Sequence, residues 1–386
     1  MDQLKNKSVN RLLSLDVFRG FTVASMILVN NPGSWDHVFS QLKHVAWHGC
    51  NFADLVFPFF LWIVGVAIAF SFAKRVDQKI NRTEILTHIF WRSLILFAIG
   101  LFIDGFPFGL TNAHAFSWST IRIPGILQRI GVCYFISSII VLYAKISWQI
   151  AWTILFLISA WILAKTIPVP DFGVGVLEMK GSLFWYLDSI LLHGHTWAKA
   201  PVPGFDPEGI LSSLPAIATT LFGVLTGHLL LSKKDATKKV IWMLIFGVTF
   251  IFLGLLMNNW IPINKNIWTP SFAVFTSGMA LTIFAGCYWL VDIKKYQKLF
   301  KPCQIFGTNA LTSFVASMLI LRLSVFIHVT ESTGATCSLK SYYYKCLFLL
   351  PIGNEMYSSL AHAIAFVLFM YLIAYAQYRA KIIIKA

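Results

Sequence analysis

Ten runs of mostly apolar residues punctuate this chain, near 14–31, 52–73, 84–104, 122–143, 147–167, 209–231, 239–258, 270–291, 304–324 and 355–378. A helix of about 20 such residues crosses a hydrocarbon layer about 30 Å thick. Composition points the same way. Of 386 residues, 57% are hydrophobic and only 12% charged, whereas a soluble domain carries roughly a quarter charged. A chain this poor in charge lacks the polar groups to cover its own surface in water. The expected class is all-α: a polytopic membrane protein of about ten transmembrane helices, with the lipid bilayer as its solvent. Trp and Tyr recur at the run ends, as interfacial anchors do.

The charges between the runs orient them. Lys5, Lys7 and Arg11 precede the first run, "KRVDQKINR" follows the second, "KKDATKK" the sixth and "DIKKYQKLFK" the eighth, and the chain ends "YRAKIIIKA". If the runs alternate in direction, all of these share one side, and cytoplasmic loops are the ones that collect Lys and Arg. Both termini are therefore predicted to be cytoplasmic. The opposite, exoplasmic side receives loops at about 31–51 and 168–208, which would build the outer face of a single membrane domain over 1–386. The net charge of +15 is thus spent on orientation. No aromatic-interleaved basic platform suggests nucleic acid. Asp16 and Arg19 interrupt the first run and no small-residue cleavage site follows it, so it reads as a retained helix rather than a signal peptide.

Six cysteines show no CxxC pairing, which argues against zinc. Cys337 and Cys346 share one external loop, where a disulfide competes with the plainer reading of two free thiols. His193 and His195 have His-x-His spacing, but no third ligand at firm spacing completes a metal site, and no metal is expected. No direct or inverted repeat is visible, which weakens a transporter reading. An amino-sugar transporter would nevertheless use the same polar interior without thioester chemistry.

Ionisable groups within apolar runs are costly and mark sites or internal pairs. Asp16 and Arg19 are three apart and share a helix face. Arg122 and Arg129 are expected on one face of the fourth span, with Arg129 needing an internal acid, a ring of carbonyls or an anionic ligand. Arg92 lies near the cytoplasmic end of the third run, where a long side chain snorkels. Asn309 is expected mid-membrane, held by an inter-helix hydrogen bond. On the exoplasmic side, Asp188, His195, Asp206 and Glu208 gather with Trp185 and Trp197. Carboxylates that accept from hydroxyls and indoles that stack on a ring suit a sugar; a solvated acidic loop capping the sixth span is the alternative. Asn30 and Asn31 close the first run. His44, His48 and Asp54 then flank the start of the second, where Asp54 suits a helix cap and a histidine beside a carboxylate suits a base or acyl acceptor.

These residues fall in longer motifs. "RLLSLDVFRGFTVASMILVNNPG", "KHVAWHGCNFADLVFPFFLWIVG", "IRIPGILQRIGVCYF", "FDPEGILSSLPAIATTLFGVLTG" and, further on, "GTNAL" together resemble the heparan-alpha-glucosaminide N-acetyltransferase family and its bacterial homologues. The resemblance implies an acetyltransferase that takes acetyl from cytosolic acetyl-CoA and delivers it to a glucosamine amine across the membrane. It implies His44 as the catalytic histidine, with Asn30 and Asp54 in support, and places His195, Asp206 and Glu208 in the external segment, with Trp197 and Asp188 nearby for the acceptor. Arg129, Arg92, Arg19, Asn309 and Lys238 are the candidates on the acetyl-CoA side, although loop lysines such as Lys238 serve orientation first. A bacterial cytoplasmic (inner) membrane is the implied location. Homodimers are common among membrane enzymes, but no residue here measures one. The family's lysosomal members carry a further N-terminal luminal domain that this sequence does not show, and a His-Glu pair where this sequence reads "SFVASML". The acceptor pocket is accordingly expected to differ, and a short amino sugar or a cell-wall glucosamine is as good an acceptor as heparan.

Overall fold

The structure is a computed structural model that describes residues 12–78, 80–109, 117–330 and 334–382. The basic tail holding Lys5, Lys7 and Arg11 lies outside the described residues. Helices occupy α1 (Leu13–Asn30), α2 (Phe52–Asp77), α3 (Arg82–Gly105), α4 (Ile126–Tyr143), α5 (Ile146–Thr166), α6 (Leu183–Leu191), α7 (Ser213–Leu231), α8 (Ala236–Met257), α9 (Pro270–Tyr288), α10 (Lys301–Thr308), α11 (Ala310–Phe326), α12 (Leu339–Tyr344), α13 (Leu350–Ile352) and α14 (Glu355–Arg379). Among the described residues nine helices are long and apolar enough to cross a membrane, and α10 with α11 forms a tenth candidate bent by 81°. This is an integral, multi-pass helical protein. The strands β1 (His328–Thr330) and β2 (Thr336–Ser338) form one short antiparallel ladder.

Of the boundaries that depart from the sequence expectation, two have clear local reasons. The fourth span starts at Ile126 rather than 122, because Pro124 disfavours helical backbone at the residue before it and Gly125 is fully extended at φ −179°. Arg122 therefore lies in the loop and does not share a helix face with Arg129. The ninth run breaks at Asn309 (φ −123°, ψ 46°). Its side chain leaves mid-membrane for the end of the last helix, where Nδ2 donates to the Ile382 carbonyl at 2.8 Å. The inter-helix bond expected of Asn309 is present, but at the break. Cys346 after α12 is a free thiol, so no disulfide joins it to Cys337 in β2.

The helices sort by how much of their surface is covered. Helices α2, α7 and α9 are buried along most of their length. Helices α3, α5 and α8 turn Phe90, Leu94, Trp148, Ile154, Ile158, Ile245, Val248 and Phe252 outward, which is stable only against lipid chains. The α2–α7 seam is among the tightest. A Cβ added at Gly65 would lie 1.9 Å from the Thr220 carbonyl oxygen, and one at Gly223 would lie 2.0 Å from that of Trp62. Small residues let two backbones approach this closely without a water-driven hydrophobic term.

The connections cluster by side. At one end the 31–51 loop binds the α8–α9 connection through Gly49 N–H to the Ile263 carbonyl (2.7 Å), and the 117–125 segment binds the external segment through Ile123 N–H to the His195 carbonyl (2.9 Å). At the other end the Ser14 N–H donates to Asp292 (3.1 Å) and Lys301 donates to the Tyr378 hydroxyl (2.7 Å). The loops read from their charges as exoplasmic are those that meet at the first end.

Candidate active site at the external lip

Helix α2 begins where Asn51 turns extended (φ −99°, ψ 173°), and Asp54 sits at its third position. Asp54 is not the cap residue itself. Its Oδ2 accepts the backbone N–H groups of Asn51 (3.0 Å) and Val45 (3.2 Å), satisfying a donor that a helix start leaves open. Its Oδ1 accepts the His44 Nδ1–H at 2.8 Å. A carboxylate only accepts, so in the tautomer that makes this bond Nδ1 carries the proton and Nε2 the lone pair. The carboxylate is 1% exposed and the imidazole 38%. A buried anion thus orients a reachable base, the relation that general acid–base and nucleophilic histidines require.

A third group joins them. Lys265, from the α8–α9 connection, brings its Nζ to 3.3 Å from Asp54 Oδ1 and 3.0 Å from His44 Nδ1. The same connection holds the histidine loop at two further points: Asn264 Nδ2 donates to His48 Nδ1 (3.3 Å) and Asn266 Nδ2 to the Ala46 carbonyl (3.4 Å). The sequence reading passed over Lys265. A lysine in a short connection on the side that the loop charges read as exoplasmic runs against the usual side for lysine, and that was the available signal.

The acidic external segment is mostly engaged internally. Arg122 donates from Nε to Asp206 Oδ2 (2.8 Å), and from Nη2 to Asp206 Oδ1 (2.6 Å) and Glu208 Oε2 (2.5 Å). Burial alone would lower the Arg122 pKa, but the Asp206 bonds and the Glu208 charge hold it above the usual guanidinium range. Burial raises the Glu208 carboxyl, and the fields of Arg122, Arg129 and Lys265 more than reverse that. Asp188 accepts the Ile210 N–H at 2.9 Å and lies against Gly209; burial pushes its carboxyl up to about 7. With Asp206 1% and Asp188 2% exposed, both fasten the loop onto the helix mouths. His195 donates from Nδ1 to the Ile121 carbonyl (2.7 Å). Trp197 stays open at 38% exposure, whereas Trp185 Nε1 donates to the Pro203 carbonyl.

Beneath this cluster Arg129 is 2% exposed. Among the described residues no carboxylate bonds it directly. Its Nη2 donates to the Gly209 carbonyl (3.1 Å) and to Ser212 Oγ, and its Cζ stands 5.3 Å over the Trp268 ring. Its Nε and Nη1 are buried without a hydrogen-bond partner. The other candidates on the acetyl-CoA side are spread across the molecule. Arg92 stacks on Tyr134 at 4.8 Å with its Nε buried and unbonded. Arg19 pairs with Asp16 (3.1 Å) and donates to the Gly307 carbonyl (3.3 Å), and Lys238 is an exposed partner of Asp235 at 3.7 Å. Asn30 ends α1 half-buried, and no hydrogen bond joins it to His44 or Asp54. Its neighbour Asn31 is the buried one: Nδ2 donates to the Ile27 carbonyl and its own carbonyl accepts from His362 Nδ1. Arg322, overlooked in the ninth run, donates to the Asp104 and Phe106 carbonyls and to the Asp104 carboxylate.

Fold and site together define a polytopic helical membrane protein with a histidine–carboxylate pair at one lip of its helix bundle. Residues 11–257 match the family described as "Heparan-alpha-glucosaminide N-acetyltransferase, catalytic", and the chain belongs to that family. It is 31% identical over 340 residues to the heparan-alpha-glucosaminide N-acetyltransferase of Mus musculus, covering 76% of this chain and 51% of the relative. To that of Homo sapiens it is 32% identical over 332 residues, covering 74% and 49%. The chain thus spans about half the length of the curated relatives it matches.

Proposed function

We propose that this chain is a transmembrane N-acetyltransferase that moves acetyl from cytosolic acetyl-CoA to the amino group of a glucosamine-type sugar on the external side, in a bacterial cytoplasmic membrane. The observation that carries the reading is the His44 Nδ1–Asp54 bond at 2.8 Å, which presents a free Nε2 at an open lip in a chain of this family.

Two routes use that nitrogen. In direct transfer, Nε2 takes a proton from the sugar amine as its nitrogen attacks the thioester carbon; the C–S bond breaks and the departing thiolate is protonated. In the covalent route, Nε2 attacks first, the C–S bond breaks, and CoA leaves as a thiolate that takes its proton from water. The amine then displaces the imidazole from the acyl carbon. Either way an oxyanion develops, and hydrogen-bond donors aimed at one are worth ~3 kcal/mol; Asn30 is our candidate. The nucleotide of CoA stays on the basic cytoplasmic side, so its pantetheine arm must reach between helices across most of a layer about 30 Å thick. The unbonded buried nitrogens of Arg129 and Arg92 suit the amide carbonyls and phosphates of such a ligand. At the acceptor side the open groups are Trp197 and, in part, His195, while Asp206, Asp188 and the Arg122-paired Glu208 shape the loop.

The test is radiolabelled acetyl-CoA with glucosamine and purified protein in detergent. N-acetylglucosamine should form, and His44→Ala should lower its rate by 10²-fold or more while CoA binding persists. A folded wild type that forms no product would overturn the reading for this acceptor. Release of CoA before glucosamine is added, with acetyl trapped on His44, selects the covalent route; a strict need for both substrates selects direct transfer.

A further inference from the structure

Resting on the role just proposed for His44, we propose that Lys265 is a positioning residue: its ammonium shares Asp54 Oδ1 with His44 and so holds the imidazole neutral with its Nε2 lone pair free. The geometry is specific. Three heavy-atom separations close a triangle: 2.8 Å from His44 Nδ1 to Asp54 Oδ1, 3.3 Å from Lys265 Nζ to the same oxygen, and 3.0 Å from Lys265 Nζ to Nδ1. With the Nδ1 proton donated to Asp54, the ammonium donates to Oδ1, and its approach to Nδ1 is a charge contact that opposes a second proton on the ring. A carboxylate alone beside an imidazole favours the imidazolium, which has no lone pair to attack or to accept a proton. A second cation on the same oxygen opposes that preference while keeping Asp54 ionised to fix the tautomer. Lys265 is only 18% exposed in its side chain, so solvent screens it weakly.

The groups that bear on this imidazole come from three elements. Asp54 faces it from α2 and Lys265 from the α8–α9 connection. Cys50, on the histidine's own loop, lies in the field of both; burial first and the Asp54 charge second push its thiol up to about 12, so it stays uncharged. Glu208, in the external segment, is held ionised in part by Lys265. Lys265 therefore ties the histidine lip to the acceptor-side acid, and it lies beyond residues 11–257 that match the family.

The proposal is tested without relying on acetyl transfer. Diethyl pyrocarbonate modifies only the uncharged imidazole, and peptide mass spectrometry reads its rate at His44 as a function of pH. The full-length protein in detergent is compared as wild type, Lys265→Met, Lys265→Gln and Lys265→Arg. Removing a unit charge at this separation moves the profile to higher pH and lowers the rate on its acid side about tenfold or more. Lys265→Arg retains the wild-type midpoint. Lys265→Gln keeps a polar side chain without the charge and decides the matter where Lys265→Met does not fold. A neutral variant that folds as the wild type does and gives a superimposable profile overturns the proposal, as does a Lys265→Arg midpoint displaced like that of Lys265→Met. In acetyl transfer the neutral variants lose kcat more at pH 6 than at pH 8, with KM unchanged. A wild type that modifies as described but transfers no acetyl sinks the proposed function and leaves the effect of Lys265 standing.

Discussion

At the residue scale, the Arg122 guanidinium between Asp206 and Glu208 is the contact least tolerant of change. Removing one partner of a buried pair strands the other charge, which typically costs 3–5 kcal/mol. Asp206→Asn should therefore lower thermal stability in detergent far more than Glu208→Gln, whose carboxylate keeps 10% exposure; equal losses would contradict this assignment. Asp188 makes a pH prediction of opposite sense to that of a paired acid. Its folded-state pKa of about 7 lies above the usual carboxylate value of 3.8, so the folded form holds a proton that the unfolded form has released. Stability falls as pH rises through that window, at up to about 1.4 kcal/mol per unit. Asp188→Asn, which keeps an oxygen for the Ile210 N–H, should flatten the fall. Melting temperatures of both proteins from pH 4 to 8 check it, and parallel curves would count against it.

At the scale of elements, the helices follow from backbone contact as much as from side chains. Gly65→Ala or Gly223→Ala forces the α2 and α7 backbones apart and should cost about 3 kcal/mol or more. Gly286→Ala meets nothing within 4 Å and should be neutral. A thermal shift series on the three variants separates these outcomes. The helices were legible because a spanning segment must be apolar over its whole length, and most observed bounds fall within a few residues of the runs. The start of α4 and the bend at Asn309 were not, since both are set by local backbone geometry inside apolar sequence. His44 and Asp54 were legible as ionisable groups abutting such a run. Lys265 was not, because its contact with His44 spans 221 positions and exists only once α9 packs beside α2. The acid cluster of the external segment read as a sugar surface from its composition. Its pairing with Arg122 depends on a loop path that spacing does not reveal.

At the scale of the whole molecule, the account depends on sidedness. The connections that meet at the lip carry the histidine site, and the basic loops lie at the other end. In a cysteine-free background, Lys199→Cys should react with an impermeant maleimide on intact cells, and Lys238→Cys only after permeabilisation; the reverse pattern would invert the topology. The most direct test uses proteoliposomes of uniform orientation, with acetyl-CoA supplied only to the basic-loop side and glucosamine only to the lip side. N-acetylglucosamine should appear on the lip side and be lost in His44→Ala. Glucosamine crossing unmodified, with acetyl-CoA intact, would contradict it.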